Sequence, residues 1–419
     1  MAEPIEVERS GARAPARLGV HLAFLLSDLT GGGVQRIVTI LARAFAARGA
    51  QVDVVVCEAR GELRTDLPAE VGIVQLHRCD PLRARLAVWR ADRTAARLLA
   101  RPMLSPKHGS ATLAYLPSLA GYLRAARPDA LFAATPYLNI EAVLARRLAG
   151  VPARIVVSER NHFSSGKARK DWRRRHLGPA MRHAYLEADA IVAVSDGVAS
   201  DLAEAIGIPR SAVTTLYNPT LPPDFAARLA EPIAHPELFD GPPVVLTVGR
   251  LAHQKDHATL LRAFARLRER RPVRLAIGGK GSPKQVARIH ELADQLGIRT
   301  DVEVLGFLPN PVPYMARAAV FALSSRFEGF PNVLLEALAA GTPVVSTDCP
   351  SGPREILDDG VYGPLVGVGD DAALAEAIAR TLDDPPASER LKARAARFDY
   401  AAAIARYEGV LLGKRPAGR

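Results

Sequence analysis

Long apolar runs are missing from this 419-residue chain. None approaches the 18 or more residues of a membrane-spanning helix, so no span is expected. Cysteine is scarce: Cys57, Cys79 and Cys349 have no metal-ligand spacing, which argues for incidental thiols in a reducing compartment. The first residues, 1–17, lack the apolar core of an export signal and read as a disordered leader. Two nucleotide-loop patterns are also absent. Ser27-Asp-Leu-Thr-Gly-Gly-Gly-Val-Gln-Arg36 has three glycines after a strand, but Arg36 stands where the last glycine of G-x-G-x-x-G belongs, which disfavours NAD. Arg274-Leu-Ala-Ile-Gly-Gly-Lys-Gly-Ser282 lacks the Gly-Lys-Ser/Thr of a P-loop.

What is present is enough for two ordinary domains with real cores, since 48% of the residues are hydrophobic. Charge is uneven. Residues 1–215 carry 30 Lys and Arg against 20 Asp and Glu, whereas residues 216–419 carry 25 against 24. The excess therefore lies in the first half, where a polyanionic surface or acceptor is expected to bind. From Pro81 to Pro102 the text reads as one basic helix, with Arg83, Arg90, Arg97 and Arg101 along a single stripe. Residues 167–175 set six cations around Trp172, and the second tryptophan, Trp89, also lies in a basic segment. An anionic membrane face is the expected partner, the alternative being a solvated charged face. Nucleic acid is not expected, because no recognised module accompanies the charge.

Strand and helix alternate through both halves, which predicts two doubly wound, Rossmann-like α/β domains. Short apolar strands are expected at 18–26, 52–57, 73–76, 130–134, 155–158 and 190–195 in the first half, and helices around 139–149 and 178–188. Tyr217-Asn-Pro-Thr-Leu-Pro-Pro-Asp224 breaks the pattern as a linker should. The expected boundaries are a first domain at 18–215, a linker at 216–243, a second domain at 244–387 and a C-terminal helix within 388–419.

Three loops after strands carry chemistry. Glu328-Gly-Phe-Pro-Asn-Val-Leu-Leu-Glu336 follows the strand-like Ala319–Ser324, with Pro331 suited to a first helical position and Asn332 to a cap. Ionised glutamates accept hydrogen bonds only, so two of them beside a helix start suit a hydroxyl-rich ligand with an anionic group. A loop Glu plus a Glu complementing a helix start would read the same way. Arg250 and Lys255 leave the loop after a second strand, where two fixed cations could neutralise a departing diphosphate. Ser158-Glu-Arg-Asn-His-Phe-Ser-Ser165 puts His162 in a third loop, as a substrate contact or a structural histidine.

The strings Phe327–Thr347 and Val244–Phe264 closely resemble the signatures of the family 4 retaining glycosyltransferases, which have the GT-B fold. That resemblance implies two Rossmann-like domains facing across a cleft, with the C-terminal helix crossing back to the first. It assigns Glu328 to the donor sugar, Glu336 to the nucleotide ribose, and Arg250 and Lys255 to the phosphates. Gly32 and Gly33 would face the donor phosphates, His162 the sugar, and Phe307 and Leu308 the base. Gly249, Gly329, Phe330, Asn332 and Val333 complete the expected donor-binding set. No Asp-x-Asp string is present, so no metal and no cofactor are expected. The implied activity is retaining transfer of a hexosyl or N-acetylhexosaminyl group from a nucleotide sugar, preferentially UDP-linked. The implied acceptor is a lipid-linked oligosaccharide, a lipopolysaccharide or another cell-surface polysaccharide, met on the inner face of the cytoplasmic membrane. A sugar-nucleotide 2-epimerase or a non-catalytic nucleotide-sugar binder is the alternative on the same fold.

Overall fold

A computed structural model describes residues 7–8, 19–104, 110–165 and 173–413. Trp172, most of the basic run around it, and the leader apart from Val7–Glu8 lie outside these residues. The chain forms two compact units, one running to Pro219 and resuming at Ala401, the other spanning Thr220–Tyr400.

In the first unit a two-residue β1 (Val7–Glu8) precedes β2 (His21–Leu26), α1 (Gly33–Ala47), β3 (Gln51–Val56) and β4 (Gly72–Gln75). Then come α2 (Pro81–Ala91), α3 (Arg93–Leu104), α4 (Leu116–Ala126), β5 (Ala130–Ala133), α5 (Pro136–Ala149) and β6 (Arg154–Glu159). The unit continues with α6 (Gly178–Tyr185), β7 (Ala190–Ala193), α7 (Asp196–Ile206) and β8 (Val213–Thr215). Sheet order is β1-β4-β3-β2-β5-β6-β7-β8, parallel throughout except for β1, which lies antiparallel on β4. These strands are short and apolar because a parallel sheet is covered on both faces. Phe24 meets both Phe45 and Phe132 in the core, with ring centroids 6.2 and 5.9 Å away respectively.

The second unit holds α8 (Phe225–Leu229), β9 (Val244–Val248), α9 (His257–Arg268), β10 (Arg274–Gly278), α10 (Pro283–Gln295), β11 (Val302–Gly306), α11 (Val312–Arg317) and β12 (Val320–Leu323). It ends with α12 (Asn332–Ala340), β13 (Val344–Thr347), α13 (Pro353–Leu357), β14 (Leu365–Val366), α14 (Asp371–Asp383) and α15 (Ser388–Ala396). Its six strands run β11-β10-β9-β12-β13-β14, all parallel. This is the doubly wound order in which the chain reverses direction between the first and fourth strands, here β9 and β12. Val245, Leu275 and Ile277 of the sheet pack with Leu260 and Phe264 of α9 and Ile378 of α14.

The final helix α16 (Tyr400–Leu411) belongs to the first unit from Ala401 onward. Its Tyr407 is buried with its ring 6.1 Å from that of Phe132, and Arg154 Nε donates to Val410 O at 2.9 Å. Arg160 lies over both rings, and its guanidinium donates to Asn218 Oδ1 at 2.7 Å and to Tyr407 Oη at 3.0 Å.

Two helical readings need correction. The basic stretch 81–102 is not one helix: it breaks at Asp92, whose backbone is extended. Asp92 Oδ1 accepts from Ala95 N at 2.9 Å, as a cap for α3, while Oδ2 accepts from His183 Nε2 at 2.7 Å and from Arg147. Arg83 and Arg90 therefore lie on one helix and Arg97 and Arg101 on the next. The region from 388 likewise holds two helices, α15 and α16, rather than one.

α5 carries an anomaly. Glu141 is 0% exposed, and neither carboxylate oxygen has a hydrogen-bond partner among the described residues. Burial pushes its carboxyl well above the ordinary range, so it is held neutral. In the unfolded chain the group ionises near its ordinary pKa of ~4.3, whereas the folded protein keeps the proton. Folding stability is thus fully retained below that value and declines as pH rises towards the raised folded pKa, by up to ~1.4 kcal/mol per unit. Glu141→Leu is expected to raise the melting temperature more at pH 8 than at pH 5; an equal gain at both, by scanning calorimetry, would contradict a neutral buried carboxyl.

Candidate active site

The strand order of the second unit brings together two loops more than 70 residues apart in sequence. β9 and β12 are neighbours, with Val320 opposite Val245 and Phe321 opposite Leu246. Their following loops are laced: Arg326 N donates to Gln254 O at 2.8 Å, Gln254 Nε2 to Phe327 O at 2.9 Å, and Ser324 Oγ to Lys255 O at 2.8 Å. At the centre Lys255 Nζ lies 2.6 Å from Glu328 Oε1. That oxygen also accepts from the buried Ser325 hydroxyl at 2.6 Å. A largely buried pair of this kind is stable only with both partners present, because either charge alone would be left without water or counter-charge.

The surrounding groups report the same two charges. Cys349 is buried and its thiol is pushed up to about 12, chiefly by burial and then by the charge of Glu328. His257, at the start of α9, is pulled down to about 4 by burial and then by Lys255, and so remains neutral at pH 7. Arg250, in the loop after β9, is exposed, and among the described residues no carboxylate is bound to its guanidinium. The site thus offers one committed cation and one open one.

Close backbone packing makes room for this. A Cβ on Gly249 would fall 2.7 Å from Lys255 Cε, so glycine lets the lysine stem lie across the end of β9. Gly279 has φ +148°, and a Cβ there would fall 1.9 Å from Gly249 O. Leu308 covers the end of β10, where a Cβ on Gly278 would meet its Cδ1 at 2.7 Å, and Phe307 next to it is exposed. Gly352 (φ +90°) lies under the Gly329-Phe330-Pro331 loop, where a Cβ would fall 2.5 Å from Pro331 Cδ. Glu336 is buried in the second turn of α12. That helix differs from expectation at its start. Pro331 is the capping position and Asn332 the first helical residue; Asn332 Oδ1 accepts from the Thr220 hydroxyl at 3.1 Å instead of capping. Val333 follows it, half-buried.

In the first unit α1 begins at Gly33 after a Gly32 cap position with no side-chain cap. Gly31 N donates to Glu62 Oε1 at 3.1 Å, and Asp28 accepts from Thr30 N, the Thr30 hydroxyl and Gln35 Nε2. Burial alone would raise the Asp28 carboxyl, but these donors bring it below its ordinary value. The His162 loop is tied down by α7: Asp201 Oδ2 accepts from Phe163 N at 2.5 Å and Ser164 N at 3.1 Å, and lies 3.4 Å from His162 Nδ1. Asp92, His183 and Glu187 are close enough together to suggest a metal site. Arg147 joins both carboxylates, however, so the cluster already carries its own counter-charge.

Both halves match family models: "Glycosyltransferase Family 4" over residues 31–220 and "Glycosyl transferases group 1" over residues 231–398. The chain belongs to the family 4 glycosyltransferases.

A Campylobacter jejuni N-acetylgalactosamine-N,N'-diacetylbacillosaminyl-diphospho-undecaprenol 4-alpha-N-acetylgalactosaminyltransferase is 36% identical over 219 residues, 51% of this chain and 58% of that protein. A lipopolysaccharide core biosynthesis glycosyltransferase of Rhizobium meliloti, LpsE, is 38% identical over 152 residues, 36% of this chain and 43% of its own. The chain therefore spans about half the length of these relatives. Anabaena HepE, solved with UDP and glucose, superposes with a TM-score of 0.72 at 20% identity, covering 94% of this chain and all of that one. WaaG, a glycosyltransferase involved in lipopolysaccharide biosynthesis, gives 0.68 at 19% identity, covering 94% and 100%. At such identities the likeness concerns the fold, which in this family 4 chain is GT-B: two Rossmann-like parallel sheets.

Sequence alone does not single out three side chains that shape these loops. Ser325 and Gln254 both reach Glu328, the latter with Nε2 at 3.4 Å from Oε2, and Asp201 holds the His162 loop. Only the placing of Ser325 three residues before Glu328 was visible in the text. The backbone cradle is testable by stability. Gly279→Ala combines strain with a backbone clash and is expected to cost more than ~2 kcal/mol. Gly297→Ala, at φ +68° with open space around it, should cost about 1 kcal/mol. Chemical denaturation giving equal losses would show that the Gly279 contact with Gly249 does not constrain this loop.

Proposed function

We propose that this chain transfers a hexosyl or N-acetylhexosaminyl group from a nucleotide sugar, UDP-linked by preference, to a lipid-linked or cell-surface glycan acceptor. The observation that carries the reading is the Lys255–Glu328 pair, on loops of which the first also carries the exposed Arg250, at the point where the second sheet reverses. Ligands of open α/β sheets bind outside the carboxyl ends of the strands at such a reversal. The Campylobacter and Rhizobium relatives, whose names specify transfer to a diphospho-undecaprenol-linked sugar and lipopolysaccharide core synthesis, support the acceptor class.

In this reading Arg250 and Lys255 receive the diphosphate and neutralise the charge that grows as the glycosidic bond breaks. Glu328 accepts hydrogen bonds from the sugar hydroxyls and faces positive charge at the anomeric carbon. Lys255 is shared between that carboxylate and the leaving group, so substrate binding redistributes an existing ion pair. Glu336 receives the ribose hydroxyls, while Phe307 and Leu308 border the base. Retention follows if the acceptor attacks the face from which the diphosphate departs, with the diphosphate taking the acceptor proton. No metal is required where two fixed cations perform the neutralisation. Activity is therefore expected to persist in excess EDTA; complete loss, restored by magnesium or manganese, would overturn metal independence.

The two glutamates should separate kinetically. A ribose contact acts in ground and transition states alike, so Glu336→Gln is expected to weaken UDP binding about tenfold, ~1.4 kcal/mol. Glu328→Gln should instead lower kcat by about two orders of magnitude without weakening UDP binding. Calorimetry and steady-state kinetics giving the reverse pattern would exchange the two assignments.

Among the described residues no helix is long and apolar enough to cross a membrane. The basic first half supports action as a peripheral protein on the inner face of the cytoplasmic membrane. The proposed anionic surface meets Arg83, Arg90, Arg97 and Arg101, all exposed on α2 and α3.

A further inference from the structure

α2 is built with its small residues inside and its large ones outside. Asp80 caps it, accepting from Leu82 N and Arg83 N at 3.0 Å each, and Pro81 occupies the first turn. The face turned to the protein consists of Ala84, Ala87 and Val88. The opposite face carries Leu82, Leu86 and Trp89, which are 74%, 45% and 48% exposed. Spacings of four and three residues align these three in one ridge. At about 100° per residue, Arg83 and Arg90 fall on one flank of the ridge and Arg85 on the other. All three arginines are exposed, and Arg93 lies over the Trp89 ring at 4.9 Å.

Arg83 pairs with the cap Asp80, Nε to Oδ2 at 3.2 Å, an exposed contact, while the other two charges around the ridge are kept open. Among the described residues no carboxylate pairs with Arg85 or Arg90. In the second unit, by contrast, Arg262 and Arg266 share Asp371, Arg268 meets Asp301, Arg270 meets Glu376 and Arg271 meets Asp383. The ridge is also held firmly. Asp92, at its end, is fixed by Ala95 N, Arg147 and His183.

We propose that α2 is an insertion element: Leu82, Leu86 and Trp89 enter the headgroup–acyl boundary of an anionic bilayer while Arg83, Arg85 and Arg90 reach its phosphates. An apolar stripe flanked on both sides by long cations is the arrangement an interfacial helix needs, since arginine stems lie along apolar surface with the charge in the headgroup layer. Tryptophan suits the same boundary. A second copy of this chain fits poorly, because a two-fold contact would press the arginine flanks against themselves. The inference rests on the membrane reading above and deepens it: docking is by insertion as well as by charge.

The test uses the full chain with phosphatidylcholine vesicles, with and without 30% phosphatidylglycerol. Expected are binding to the anionic vesicles and quenching of tryptophan emission by brominated lipid, the quenching being reduced in Trp89→Phe. The triple variant Leu82→Ser, Leu86→Ser, Trp89→Ser should bind the anionic vesicles at least tenfold more weakly, with unchanged melting temperature and UDP affinity. Wild-type binding by that variant, or quenching unchanged in Trp89→Phe, would overturn insertion and leave attraction by charge alone. Competition by soluble polyglutamate that fully displaces the protein from vesicles at about 0.1 M salt would overturn it in favour of an acidic protein partner. If the triple variant melts early, Leu82→Gln with Leu86→Gln replaces it, and wild-type vesicle binding by that pair counts equally against the proposal. Transfer to a soluble acceptor without vesicle binding would refute the ridge and preserve the transferase. Vesicle binding without donor turnover would do the opposite.

Discussion

The ion pair between Lys255 and Glu328 is the constraint on which the second unit's site depends. Removing two charges from most of their water is costly, and their attraction compensates only when geometry and further hydrogen bonds are supplied. Here Ser325 supplies one hydrogen bond, and the lacing of the two loops supplies the geometry. The lysine stem can lie where it does because position 249 has no Cβ, and the turn at 249 can lie where it does because position 279 has none. An uninterrupted chain of close contacts thus runs from the strand ends to the charged atoms. Arg250 is left outside this arrangement, exposed and without a carboxylate partner among the described residues.

Charge is handled differently from place to place. In the second unit, Arg262 and Arg266 of α9 share Asp371 of α14. In the first, Arg146 and Arg147 are matched with Asp189, Asp92 and Glu187, whereas Arg85 and Arg90 of α2 stand exposed beside apolar side chains with no carboxylate partner among the described residues. Inside the same unit Glu141 is enclosed without a partner among the described residues and stays neutral, whereas Arg160 is held by two aromatic rings and two hydrogen bonds. A buried carboxyl can shed its charge by taking a proton, whereas a guanidinium cannot and must be given partners.

Strands were legible because burial on both faces of a parallel sheet demands short continuous apolar runs: Val52–Cys57 was read within one residue of Gln51–Val56, and 130–134 nearly coincides with Ala130–Ala133. The break at Asp92 was not, because arginine spacings of seven and four persist through a one-residue interruption. The local signal was a capping aspartate ahead of a helical stretch, outweighed by the periodicity around it. Asn332 misled for a related reason. It is a good cap by type, but Thr220, 112 residues away, takes its side-chain oxygen.

The sequence by itself determined the alternation of strand and helix, the glycines at strand ends and the family signatures, because each is carried by residues close together in the chain. It also determined that Glu328, Arg250 and Lys255 leave strands as loops. Which loops meet was decided only by the tertiary structure. The reversal of strand order between β9 and β12 makes Lys255 and Glu328 partners, and no local propensity records which strands pair. Burial likewise depends on the whole packed surface, and so the enclosure of Glu141 and the exposure of Leu82, Leu86 and Trp89 became visible only in the fold.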